Sequence, residues 1–495
     1  MSYFELLKLA VPESTVVLTA LVMLAIDLTS MRGLETRVRF TVGAMVACVG
    51  CLTAIMWMLV MPAHANALQG MLVVDPLTQL AKIALLAMTV FTILISIESN
   101  FTTHVGEYLA LILLATVGMM FLVSAEDILM IFVSLELTSL SLYVLTAFNK
   151  RDIKSAEAAL KYFLFGGMSA AFMLFGLSLI YGLSGSTNLG QIAAALAGKG
   201  LDPLLVVAIV MTVIGFGFKV AAVPFHLWAP DAYQGAPKPS AAFIASGSMV
   251  ASFFIFAKVM MLGFAGAEGS GAYHAYAAGW VPVIAIVAGL SMILGNVVAI
   301  VQSNVKRLLA YSAIAHAGYM LLAVLSHDQQ AVASLIYYAV TYGLTTIGAF
   351  GVVAVVEQGT GDCKLTDFAG LSRRAPVVSL CMMIFMLSLA GIPPLAGFFG
   401  KFYVFAAAIK SGAPNLGLLW LVILALAMSA VSLYYYLQVL KQIYVIDAPQ
   451  DAERIRVPWV MQITLAVLAL GVVLLGCFPG WLVGLIEQAM KLIGH

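Results

Sequence analysis

The chain has 495 residues, 63% of them hydrophobic and 9% charged, with a mean hydropathy of +1.06 and a formal net charge of +1. Such values lie outside the range of soluble domains and read as a polytopic membrane protein. They exclude a nucleic-acid footprint and a large steering field, so partners are expected in the bilayer plane.

The N-terminus, MSYFELLKLAVPES, carries Glu5 and Glu13 ahead of the first apolar run and has no small-residue cleavage site. A retained first span is expected rather than a signal peptide. A spanning helix needs about 20 apolar residues. Fourteen candidates begin near residues 14, 41, 77, 107, 126, 158, 204, 240, 280, 308, 331, 376, 416 and 458. Cys48, Cys51, Cys363, Cys381 and Cys477 are scattered among them and read as buried small residues, with no metal or disulfide site. Alternate loops collect fifteen basic residues on one side, among them Arg32, Lys150, Arg151 and Arg307. The other side collects four: Lys8, Lys199, Lys410 and Lys491. Lysine and arginine gather on the cytoplasmic side, so both termini are expected outside.

Two spans are interrupted by proline beside a lysine. The seventh reads GFGFKVAAVPFH, with Lys219 before Pro224; the twelfth reads LAGIPPLAGFFGKF, with Pro393 and Pro394 before Lys401. Proline removes a backbone donor and frees a carbonyl, which is tolerated at membrane depth only where protein or water satisfies the exposed groups. Broken helices five spans apart are the signature of inverted repeats. The expected fold is therefore an all-α membrane protein of about 14 transmembrane helices. Residues 1–106 carry spans one to three, 107–265 the first repeat (spans four to eight), 280–446 the second (spans nine to thirteen), and 458–495 a C-terminal helix.

Ionisable residues inside the spans are the functional candidates, because each costs roughly 2.5–3.5 kcal/mol near the bilayer centre on insertion scales. Glu136, in MIFVSLELTSLSLYVL, lies near the middle of span five, and its short stem makes snorkelling poor. Lys219 and Lys401 sit beside the breaks. The bland alternative for all three is a static ion pair or a snorkelling side chain. Burial favours a neutral amine and a nearby carboxylate favours the ammonium, so a Glu136–Lys219 pair would act as a switchable base. At an effective dielectric of about 20, unit charges ~4 Å apart interact by roughly 4 kcal/mol, and at ~8 Å by about half that.

His226 in PFHLW and His316 in YSAIAHAGYM extend the line as relay candidates, although a lone histidine in an apolar helix is more often structural. Lys258, toward the end of span eight, reads either as a snorkelling residue or as a relay. Lys82 and Lys161 read as interfacial anchors, and Tyr434, Tyr435 and Tyr436 as helix packing or an aromatic belt.

PFHLWAPDAYQGAP (Pro224 to Pro237) with GFGFK before it, NVKRLLAYSAIAHAGY (Asn304 to Tyr319) and GIPPLAGFFGKF (Gly391 to Phe402) carry a resemblance that covers essentially the whole chain. It resembles the antiporter-like subunits of respiratory complex I, the proton-translocating NADH:quinone oxidoreductase, and most closely the subunit N group. Subunits L and M and the related Mrp-type cation/proton antiporters carry other residues where YQGAP stands here.

The resemblance implies proton-translocation roles for Glu136, Lys219 and Lys401. The family usually has a further lysine in span eight, where Met249 stands here, so Lys258 or His316 would carry that link. The resemblance also implies a translocase subunit in the bacterial inner membrane, with both termini periplasmic and no cofactor or redox centre of its own. NADH, FMN, iron–sulfur clusters and quinone would be handled by other subunits. The implied partners are subunits M, K and J and lipids. An Mrp-type antiporter subunit is the alternative, and a purely structural membrane subunit is a third reading.

Overall fold

The computed structural model describes residues 3–61, 64–198, 200–272, 275–326, 328–360, 363–411, 417–448 and 454–493. Lys199, counted above on the outer side, lies outside them. Twelve helices among the described residues are long and apolar enough to cross a membrane, and two shorter apolar helices, Pro203–Lys219 and Pro376–Ala390, are the interrupted segments. The chain is a multi-pass membrane protein.

In order, the chain forms α1 (Tyr3–Leu9), α2 (Val11–Thr29), α3 (Thr36–Met58), a hairpin of β1 (Ala65–Ala67) and β2 (Leu72–Val74), α4 (Pro76–Ser96), α5 (Val105–Ser124), α6 (Ile128–Thr146) and α7 (Ile153–Ser184). There follow α8 (Leu189–Leu196), α9 (Pro203–Lys219), α10 (Trp228–Gly235), α11 (Lys238–Phe243), α12 (Met249–Lys258), α13 (Trp280–Ile300), α14 (Val305–Leu325) and α15 (Gln329–Thr360). The last elements are α16 (Leu371–Arg374), α17 (Pro376–Ala390), α18 (Ala396–Ser411), α19 (Leu419–Tyr444), α20 (Trp459–Cys477) and α21 (Pro479–Ile493).

At five helix starts the sequence supplies a side-chain cap. Asp75 and Thr78 form a capping box at α4, with Pro76 in the first turn, and Asp127, Asp152, Asn188 and Asn304 accept backbone N–H bonds at α6, α7, α8 and α14. Three features differ from the sequence expectation. The two-stranded hairpin and the short helix α8 were not anticipated, both being too short to leave a periodic signal. The single C-terminal helix over 458–495 is instead two helices, α20 and α21, because Pro479 stands in the run and cannot continue a helix.

The chain divides into two compact units: residues 1–216, 235–267 and 486–495, and residues 217–234 and 268–485. In the first unit the N-terminus of α6 is tied to the segment before α8. Ile128 N–H donates to Thr187 O (2.8 Å), Leu189 N–H to Glu126 O (2.8 Å), and Asp127 bridges Asn188. The second unit repeats the device at the N-terminus of α14. Val305 N–H donates to Cys363 O (2.8 Å), Leu365 N–H to Ser303 O (2.8 Å), and Asn304 bridges Lys364. Each unit thus starts a central helix from an Asp or Asn cap held by an antiparallel bridge, a local likeness that the sequence does not reveal as identity.

Candidate functional site

Two candidates of the second unit, His316 and Lys401, stand on α14 and α18. Residues Ser312, His316 and Tyr319 recur at helical spacing on α14, so they share one face. His316 is 2% exposed, and both ring nitrogens are engaged: Nδ1 lies 2.7 Å from the Tyr338 hydroxyl on α15 and Nε2 3.1 Å from the Tyr436 hydroxyl on α19. Tyr436 is in turn 2.5 Å from Ser312 Oγ. The result is a buried hydrogen-bonded line, Tyr338–His316–Tyr436–Ser312. A neutral imidazole donates from one nitrogen and accepts at the other. Such a line can point in either of two senses, and a proton passed along it reverses the sense.

Lys401, 4% exposed, lies on the same side of this cluster, with Nζ 5.1 Å from the centroid of the Tyr319 ring, which itself packs edge-on to His316 at 5.7 Å. The break explains its position. Pro394 lacks the N–H that would bond Ala390 O four residues back, and Lys401 Nζ takes that carbonyl (3.1 Å) together with Ser429 Oγ (2.9 Å). Gly391, with φ +86°, lets the lysine stem pass, since a Cβ there would stand 3.1 Å from Lys401 Cδ. Among the described residues no carboxylate lies within ion-pair distance of Lys401; it is held by two neutral acceptors and a ring face, a set that suits an ammonium. Tyr319 also accepts from Asn296 Nδ2 (2.9 Å), whose Oδ1 accepts from Tyr435 (3.0 Å).

The other break is satisfied differently. Val223 N–H donates to Ser291 Oγ (2.9 Å) and Trp228 Nε1 to Phe218 O (2.9 Å), so neutral side chains take up backbone groups around Pro224. Lys219 is 8% exposed, with Nζ 5.5 Å from the Phe218 ring centroid. His226 is 6% exposed, and its Nδ1 has no hydrogen-bond partner among the described residues. It is not a member of the His316 line.

In the first unit Glu136 is half-buried on α6, and its Oε1 is buried without a hydrogen-bond partner among the described residues. Two turns on, Tyr143 packs edge-on to Tyr162 at 4.6 Å. Met249, 3% exposed, begins α12 directly after a π-helical turn, Ile244–Ser248. Lys258 ends α12 and pairs with Glu126 in the α5–α6 connection (Nζ–Oε1 2.9 Å), so it has a carboxylate partner that the sequence reading did not foresee.

One sequence reading is corrected. Lys82 is no interfacial anchor: it is 3% exposed and forms a 2.6 Å ion pair with Glu13, itself 1% exposed. The tyrosine reading needs only a refinement: Tyr435 and Tyr436 are buried in helix packing and are also hydrogen-bonded, while Tyr434 is exposed. Lys161, by contrast, is 41% exposed and pairs with Glu157 as an anchor would.

Comparisons with known proteins agree with this architecture. The family described as NADH:quinone oxidoreductase/Mrp antiporter, TM, matches residues 125–429. NADH-quinone oxidoreductase subunit N 2 of Acidobacterium capsulatum is 52% identical over 490 residues, covering 97% of this chain and 98% of that one. A chain of respiratory complex I from Thermus thermophilus superposes with a TM-score of 0.79 at 31% identity, over 96% of this chain and 98% of its own. A chain of the Mrp complex from Dietzia sp. shares the fold, with a TM-score of 0.82 at 18% identity over 98% and 97%. The chain belongs to the NADH:quinone oxidoreductase/Mrp antiporter membrane family, as an antiporter-like subunit of its NADH-quinone oxidoreductase subunit N branch.

Proposed function

We propose that the chain is a proton-translocating subunit N of NADH:quinone oxidoreductase, carrying no redox centre and driven by electron transfer in other subunits. The observation that carries the reading is the buried cluster of Lys401, His316, Tyr338, Tyr436 and Ser312. It sets a lysine with no carboxylate partner among the described residues beside a line of reversible hydrogen bonds, the Tyr319 ring lying against both Lys401 and His316. In this reading Glu136 and Lys219 form the first switchable pair, and Lys401 receives its proton by way of His316. The partnerless Oε1 of Glu136 is consistent with a carboxylate that must change partners.

Moving one charge against 100 mV costs roughly 2.3 kcal/mol, the same order as the roughly 2 kcal/mol of attraction gained when an opposite-charge pair closes from ~8 to ~4 Å at an effective dielectric near 20. Residues 107–265 and 280–446 act as inverted repeats, and the matched caps at Asp127 and Asn304 favour that division. The basic-loop count favours both termini on the outer side, and the likeness to a bacterial subunit N supports a bacterial inner membrane as the location. Subunits M, K and J are the proposed neighbours. The complex's NADH, FMN, iron–sulfur and quinone chemistry is assigned to other chains.

The test is NADH-driven proton uptake in liposomes by assembled complexes carrying Glu136→Gln or Lys401→Met. Both are expected to lose most pumping. Full pumping in both, with assembly intact, overturns the proposal, and sodium-dependent transport without NADH would favour the Mrp-type alternative.

A further inference from the structure

Outside the cluster above, a polar cavity of about 220 Å³ opens in the first unit between the α4–α5 connection and the α6–α7 connection. It is lined by Asn100, Thr102, Thr103, His104, Lys150 and Arg151, over an aromatic floor. The floor is rigid: Phe101 and Phe148 both pack edge-on to the buried Tyr108, at 5.0 and 5.2 Å, and Tyr108 is hydrogen-bonded to Ser240 at 3.2 Å.

The charge in the cavity is one-sided. His104 is offset by Glu107, 3.2 Å from its Nδ1. Lys150 and Arg151 are exposed and have neither an ion pair nor a side-chain hydrogen bond among the described residues. The backbone at the start of α5 is not the anion site, because Gly106 N–H already donates to Asp27, 2.8 Å away. What remains is two cationic side chains and neutral donors above a ring floor, with room for about seven waters' volume.

We propose that this cavity binds a phosphate group, and that its source is the phosphodiester of an anionic phospholipid. Both connections directly follow spanning helices, so the cavity stands at headgroup level, and the basic-loop count assigns it to the cytoplasmic leaflet. Arg151 offers the planar fork that suits phosphate oxygens, and Lys150 supplies a point charge. The ring floor accommodates the glycerol ester region.

The experiment measures binding to the full chain in neutral detergent micelles by native mass spectrometry. The probes are phosphatidylglycerol, phosphatidylcholine and inorganic phosphate. Phosphatidylglycerol is expected to bind in preference to phosphatidylcholine. Lys150→Ala with Arg151→Ala is expected to weaken it by about 30-fold, whereas Arg32→Ala, at a basic residue outside the cavity lining, leaves it unchanged. Lys150→Arg is expected to retain it. Binding of inorganic phosphate with no phosphatidylglycerol retained would assign the site to free phosphate and refute the lipid source. Wild-type phosphatidylglycerol binding by the double variant, or an equal loss in Arg32→Ala, overturns the site altogether. Lys150 and Arg151 are exposed, so unchanged thermal unfolding of the lipid-free variants is the folding control. None of these readouts depends on whether the chain pumps protons.

Discussion

Replacing Tyr436 by Phe removes one hydroxyl and almost no volume, which isolates the hydrogen-bonded line from the packing around it. That hydroxyl stands 3.1 Å from His316 Nε2 and 2.5 Å from Ser312 Oγ. A neutral hydrogen bond contributes about 1 kcal/mol net, and a buried group left unsatisfied costs roughly 1–3 kcal/mol. Two contacts are lost, so a proton passing through His316 meets a barrier raised by about 2–3 kcal/mol, which slows the step by about 30- to 150-fold. The paired control is Tyr435→Phe. Its hydroxyl donates to Asn296 Oδ1 at 3.0 Å and makes no hydrogen bond to His316. It should therefore cost comparable stability while sparing transfer. The assay is NADH oxidation alongside acidification in inverted vesicles carrying assembled complexes. Tyr436→Phe is expected to lower proton uptake per NADH steeply and Tyr435→Phe to leave it near wild type. Wild-type pumping in Tyr436→Phe, or equal losses in both variants, would refute the relay.

Two further predictions concern ion pairs whose burial differs. Glu13→Gln strands Lys82 in a site only 3% exposed and is expected to destabilise the assembled protein by about 3–5 kcal/mol, whereas Glu13→Leu with Lys82→Met recovers most of it; thermal unfolding of the two variants decides, and equal losses would contradict the reasoning. The Lys258–Glu126 pair is more open, at 16% and 24% exposure, so a double-mutant cycle with Lys258→Met and Glu126→Gln is expected to give a coupling of about 1 kcal/mol or less. Pumping should be retained in Lys258→Met; a tenfold fall would put Lys258 back in the proton path.

The segments that read well in the sequence are those whose signal is local. Apolar length marked the spans, and Pro224 and Pro393–Pro394 marked the two that emerge as the shorter helices α9 and α17. The partners were not legible, because a side chain's partner in a bundle comes from a distant helix. His316 announced itself as an ionisable group in an apolar run, but Tyr338 and Tyr436, which engage its two nitrogens, lie 22 and 120 residues away. Lys82 was misread for the same reason: only its pairing with Glu13 distinguishes it from an anchor. The hairpin was missed because three-residue strands leave no period to find.

The two breaks look alike in sequence, and at the second of them the lysine is itself one of the donors that hold it. At Pro224, Val223 N–H goes to Ser291, Phe218 O accepts from Trp228 and Ala222 N–H goes to Gly217 O, so neutral groups contribute to holding the break. At Pro394 the carbonyl four residues back is taken by Lys401 itself. An ammonium has three donors and no lone pair, whereas a neutral amine keeps only two N–H groups and loses its attraction to the Tyr319 ring. Deprotonation therefore weakens the hold on Ala390 O, and a shift at the end of α17 weakens the hold on the proton. Charge on Lys401 and the geometry of the second break are one linked equilibrium, reciprocal in the sense that each biases the other by the same free energy.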